Sequence, residues 1–171
     1  MTMSDAEPAR PMPAGGRGSD LALRVGSALV LAPVAIGVAY LGGWAFALFW
    51  GIAALIVMWE WTTLVSGNDR RSVLMTGVVA VALAVALAAS SVGAVEYFHD
   101  LRFAAAAIVL AMGMLACAAL ATREGAAWVA AGVPYAGAMG LAPIVLRSEP
   151  EHGFVAMVFL FAVVWATDIA A

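Results

Sequence analysis

The chain has 171 residues, 65% of them hydrophobic and 11% charged, whereas soluble domains run at about 45–50% apolar and about 25% charged. With a mean hydropathy of +1.01, a chain this short has more apolar surface than a water-solvated core can hide, so lipid is the implied solvent. The net charge is −3 and the eight basic residues are scattered arginines, which excludes the basic footprint of a nucleic-acid partner.

The first twenty residues, "MTMSDAEPARPMPAGGRGSD", are rich in Pro, Gly and charge, with little to bury. They read as a disordered cytosolic tail over 1–20. The apolar stretch that follows is longer than a signal peptide's and begins late, so it reads as a retained anchor.

Six segments of spanning length follow, near 22–41, 44–66, 72–95, 101–121, 126–146 and 153–171, taking about 20 residues per helix. Short breaks separate them: "GG", "SGNDRRS", "EYFHD", "TREG" and "RSEPEHG". Backbone polar groups in lipid must be satisfied within the segment, which leaves helices, and the alternating polarity of barrel strands is missing. The expected fold is all-α: a polytopic membrane protein of about six transmembrane helices over 21–171.

Arginines set the expected orientation, because cytoplasmic loops collect positive charge. Arg10, Arg17, Arg24, Arg70, Arg71 and Arg123 fall on one side, and Arg102 and Arg147 on the other. That favours a cytoplasmic N-terminus and, with six spans, a cytoplasmic C-terminus.

Two acids lie well inside these spans. Glu60 sits in "LIVMWEWTTLV" of the second and Asp168 in "FLFAVVWATDIAA" of the sixth. Each lies sixteen residues from the outer start of its helix, about 24 Å along at about 1.5 Å per residue. Both therefore fall near the cytoplasmic edge of the hydrocarbon. An acid inside a membrane costs about 2.5–3.5 kcal/mol at a helix centre and marks a functional site by default. Glu60, between Trp59 and Trp61, equally fits an interfacial carboxylate in an aromatic belt. Oxygen ligands facing the cytosol suit Mg²⁺, which combines one or two carboxylates with substrate phosphates.

The fifth span, "GAAWVAAGVPYAGAMGLAPIVLR", is punctuated by Gly132, Pro134, Gly137, Gly140 and Pro143. Small residues permit close helix packing, and the prolines kink the helix. Either this helix is simply close-packed, or it is bent and lines a cavity that Tyr135 enters.

Other polar groups carry less. Cys117 is a lone thiol in an apolar run and reads as a small hydrophobe. His99 and His152 lie in loops on the side opposite the cytoplasm, with no neighbouring nitrogen or sulfur ligand. Ser90 and Ser91 have no His partner for a nucleophilic triad, and "GGRGSD" lacks the spacing of a phosphate-binding loop.

The stretch "LRVGSALVLAPVAIGVAYLGGWAFALFWGIAALIVMWEWTTL" resembles the amino-terminal part of the bacterial phosphatidate cytidylyltransferases, or CDP-diacylglycerol synthases. The residues that carry the likeness are Arg24, Ser27 to Pro33, Gly42, Gly43 and Trp44, then Glu60 and Trp61. The text around Tyr135 and Gly137, ending in Leu146 and Arg147, is similar more loosely. The closing "WATDIAA" looks like the start of the family stretch in which an Asp precedes an Ala, an aromatic residue and a Gly-Arg pair. The family's Lys-rich signature, beginning Ser-Pro-Lys-Lys-Thr, is not among these residues. The resemblance therefore implies the front portion of a longer enzyme, inactive alone.

What the resemblance implies chemically is a nucleotidyltransferase of phospholipid biosynthesis in the cell inner membrane. Phosphatidic acid and CTP would give CDP-diacylglycerol and pyrophosphate, with Asp168 a catalytic, Mg²⁺-binding carboxylate. Glu60 would support it or serve structurally, as would Tyr135. Membrane lipids are the other expected partners, and small-residue interfaces would allow a homodimer. A transporter subunit using the two acids for ion coupling and a structural bundle without catalysis stay open as alternatives.

Overall fold

The computed structural model describes residues 17–66, 70–90, 96–121 and 125–170. Among them are six α-helices and no strand: α1 (Arg17–Leu41), α2 (Gly43–Val65), α3 (Arg70–Ser90), α4 (Glu96–Leu120), α5 (Ala126–Ser148) and α6 (Gly153–Ala170). Each falls on one of the six segments expected from the sequence. Most of the 1–20 tail lies outside the described residues, although α1 already begins at Arg17. Four helices, α2 to α5, are long and apolar enough to cross a membrane, while α1 and α6 carry shorter apolar stretches, Leu29–Leu41 and Gly153–Asp168.

Two compact units divide at residue 35. The described part of the first is α1 up to Ala35, which contains Pro33. The second unit runs from Ile36 onward and holds the bundle.

In that bundle α5 is the central element, packed against α2, α3, α4 and α6. Its buried face consists of Val129, Ala130, Gly132, Val133, Ala136, Gly137, Gly140, Pro143 and Ile144. The buried face of α3 is as small: Val73, Gly77, Ala80, Val81, Ala84, Val85, Ala88 and Ala89. Large apolar residues point outward instead, among them Leu48, Ile52, Ile56, Ile108, Met112, Leu115 and Phe159. Lipid tails are as apolar as Leu, so burying Leu stabilises nothing in a membrane. Small residues that let backbones approach do, through dispersion contacts.

Three contacts set α2 antiparallel to α5. A Cβ on Gly42, at the start of α2, would come 3.0 Å from the Arg147 guanidinium, in the last turn of α5. Midway, a Cβ on Gly140 would come 3.1 Å from the Ala54 methyl. At the other end the Trp61 indole Nε1–H donates to the Trp128 carbonyl at 2.9 Å. Gly42 and Gly43 form the α1–α2 turn with φ of 62° and 55°, a left-handed conformation that a side chain would strain.

Two arginines at the Gly42 end are used on helix C-termini. Arg147 Nε donates to the Ala39 carbonyl at 2.7 Å, in the last turn of α1, and its guanidinium lies 5.9 Å from the centre of the Phe154 ring. Arg102 Nη1 donates to the Ser90 carbonyl, the final residue of α3. The last carbonyls of a helix have no partner within it and carry its negative pole, so a cation placed there satisfies both.

Candidate functional site

Glu60 occupies the last turns of α2 and Asp168 the last turn of α6, and both side chains are exposed. Two aromatic contacts relate their helices. Tyr40, just before α2, meets Phe154 at the start of α6 edge-to-face at 5.8 Å. Farther along, Trp50 of α2 stacks on Phe161 of α6 at 6.5 Å. The two helices therefore advance in the same direction from the Gly42 end. Glu60 lies ten residues beyond Trp50 and Asp168 seven beyond Phe161. At about 1.5 Å per residue the acids stand about 15 Å and about 10 Å past a shared level, at one end of the bundle.

The stack continues toward Asp168: Phe161 lies parallel to Trp165 at 5.7 Å and 15°. Trp165 extends along α6 the stack that begins on Trp50 of α2, and Asp168 follows Trp165 by one turn. Among the described residues, neither carboxylate has a hydrogen-bond or ion-pair partner. No three His, Cys, Asp or Glu side chains converge there on a common point. The chain holds no closed metal cage among these residues. A single exposed carboxylate suits an ion such as Mg²⁺ that takes most of its ligands from phosphate and water.

Tyr135 is 58% exposed rather than turned into a cavity within α5's packing. Its ring lies 5.1 Å from that of Trp61. An apolar cleft of about 200 Å³ lies instead between α2 and α3, lined by Trp44, Leu48, Ile52, Ala82 and Ala86 among others, and none of the three candidate residues borders it.

Trp61, read from the sequence as part of an aromatic belt, has a packing role that the sequence did not show. Its ring fills the notch at Gly132, where a Cβ would collide with it, while its N–H reaches Trp128. Because Trp61 points into α5, Glu60, one residue and about 100° earlier on the helix, points out. The signal was the pairing of a Trp after the acid with a Gly in the fifth span, and only the register between α2 and α5 could connect them.

Residues 22–171 match the model of the cytidylyltransferase family. The chain belongs to that family. The chain is 33% identical over 158 residues to the phosphatidate cytidylyltransferase of Brucella suis biovar 1 (strain 1330), a match covering 90% of the chain and 53% of the relative. The phosphatidate cytidylyltransferase of Brucella abortus biovar 1 (strain 9-941) is 32% identical over the same lengths. The chain thus spans about half the length of the curated relatives it matches. No solved structure matches the chain.

Proposed function

We propose that this chain is the amino-terminal membrane portion of a phosphatidate cytidylyltransferase. The reaction joins CTP and phosphatidic acid into CDP-diacylglycerol and pyrophosphate. A phosphate oxygen of the lipid attacks the α-phosphorus of CTP, a new P–O bond forms, and the bond to pyrophosphate breaks. The observation that carries this reading is the likeness to named phosphatidate cytidylyltransferases over 90% of the chain.

In this reading all six helices cross the inner membrane, with the N-terminus in the cytosol and the Glu60 end of the bundle at the cytosolic face. The placement suits the substrates: CTP is dissolved in the cytosol, and the lipid phosphate lies at the interface. Asp168 would hold Mg²⁺, with substrate phosphates and water as its other ligands. When bound, the ion neutralises charge on two polyanions that must meet in line. Glu60 would support that ion through its negative charge at the same end of the bundle, or serve structurally. Trp61 and Tyr135 wall the same end.

The test joins the chain in frame to the second half of the Brucella suis relative and reconstitutes the product in vesicles containing phosphatidic acid. Radiolabelled CTP should appear in CDP-diacylglycerol only when Mg²⁺ is present. No label in lipid, beside an active Brucella suis enzyme in matched vesicles, would contradict the proposal.

A further inference from the structure

We propose that Arg70 and Arg71 form a docking site for the phosphate of an anionic phospholipid in the leaflet at the Glu60 end of the bundle. The proposal stands on the arginines and does not depend on catalysis.

The four arginines whose side chains are described fall into two classes. Arg102 and Arg147 sit at the Gly42 end and donate to the Ser90 and Ala39 carbonyls. The fold itself accounts for them. Arg70 and Arg71 are the first two residues of α3, both exposed, and among the described residues neither has a hydrogen-bond, ion-pair or ring partner. A helix N-terminus is its positive pole, so two cations there oppose the dipole rather than complement it. Helix stability gives no reason for the pair. An anion outside the chain does.

Depth identifies that anion. Gly77 of α3 faces Met58 of α2, with a Cβ there 3.0 Å from the sulfur. Arg70 lies seven residues before Gly77, about 10 Å beyond the level of Met58. Trp59 follows Met58 directly and is 52% exposed; Trp128, held level with Trp61, is 66% exposed. Two outward indoles thus form a rim about 5–10 Å below two outward guanidiniums. Trp rings prefer the membrane–water boundary, and a phosphate lies just outside it. Measured along α3, Arg71 and Ser90 are nineteen residues apart, about 28 Å, close to a hydrocarbon thickness of about 30 Å. A phospholipid whose phosphate meets the guanidiniums therefore has its glycerol at the indoles and its chains along the apolar outer faces of α2 and α3. Guanidinium planes match phosphate oxygens in paired hydrogen bonds, and a net negative headgroup adds attraction for each arginine.

The experiment is native mass spectrometry of the detergent-solubilised chain with phosphatidylglycerol and phosphatidylcholine of identical acyl chains at equal concentration. The wild-type chain should retain phosphatidylglycerol about tenfold over phosphatidylcholine. Arg70→Gln with Arg71→Gln should bring the ratio to about one, Arg70→Lys with Arg71→Lys should keep most of it, and added salt should erode it. A wild-type ratio near one, or a preference that persists in the Gln pair, would overturn the proposal. A separate arm replaces phosphatidylglycerol by phosphatidic acid: equal retention supports a leaflet-lipid site. Retention of phosphatidic acid alone would overturn it in favour of a substrate headgroup site. Should the Gln pair fail to fold, the wild-type ratio and its salt dependence decide.

Discussion

Replacing Asp168 by asparagine in the joined, full-length protein should lower cytidylyl transfer at least about a hundredfold at saturating Mg²⁺. The two side chains have nearly the same size, and position 168 is exposed, so the change removes one negative charge and little else. Exposed substitutions of this kind usually alter stability by no more than about 0.5 kcal/mol. A group that merely orients a metal ligand costs about 10–100-fold when lost; a direct ligand should cost at least the upper end. The apparent Mg²⁺ requirement should also rise, because phosphate oxygens and water alone would then hold the ion. Glu60→Gln should be milder, since that acid acts through the field around Asp168. Rates measured by CTP incorporation that stay at wild type in Asp168→Asn would remove this residue from the site.

The second large effect concerns the bundle rather than the chemistry. Gly113→Ala should destabilise the chain by about 1–3 kcal/mol, the range for adding atoms to a packed interior. A Cβ at Gly113 meets the Ala80 methyl head-on, with the Ala80 Cα 3.8 Å away and Val133 at 3.3 Å. A methyl fixed to the backbone has no rotamer to change, so α3 and α4 must move apart, and α5 against both. Gly77→Ala is the control. Its Cβ would strike the end of the Met58 side chain, which is flexible and can turn away. That variant should be near neutral, and the gain in helix propensity of alanine over glycine, about 1 kcal/mol, works in its favour. Thermal unfolding in detergent separates the two, and equal losses would mean that the α3–α4 approach is not the tight contact described.

These examples mark what could be read before the fold was known. Segment number, helical character and the breaks follow from runs of apolar residues, because lipid leaves a backbone so few alternatives. "GG" at 42–43 was legible as a break, and both glycines do adopt left-handed φ angles. Glu60 and Asp168 stood out because charge is rare in such runs, and counting residues put them at similar depth. The use of Arg147 was not legible. Its partner, the Ala39 carbonyl, lies 108 residues away, and no periodicity reports a contact at that distance. Trp61 was hidden for the same reason: its partner is a missing Cβ at Gly132. Tyr135 drew attention as a polar ring in a kinked helix, whereas its direction depended on which face of α5 the bundle covers.

Membrane depth of the two acids tests the central claim most directly. Glu60→Cys and Asp168→Cys, each in a Cys117→Ala background, would carry a nitroxide label in vesicles, with oxygen and a water-soluble nickel chelate as opposing relaxation agents. Labels at 60 and 168 should report depths agreeing within about 5 Å, the difference expected from their ten- and seven-residue offsets, both close to one interface. Depths in opposite halves of the bilayer would contradict it.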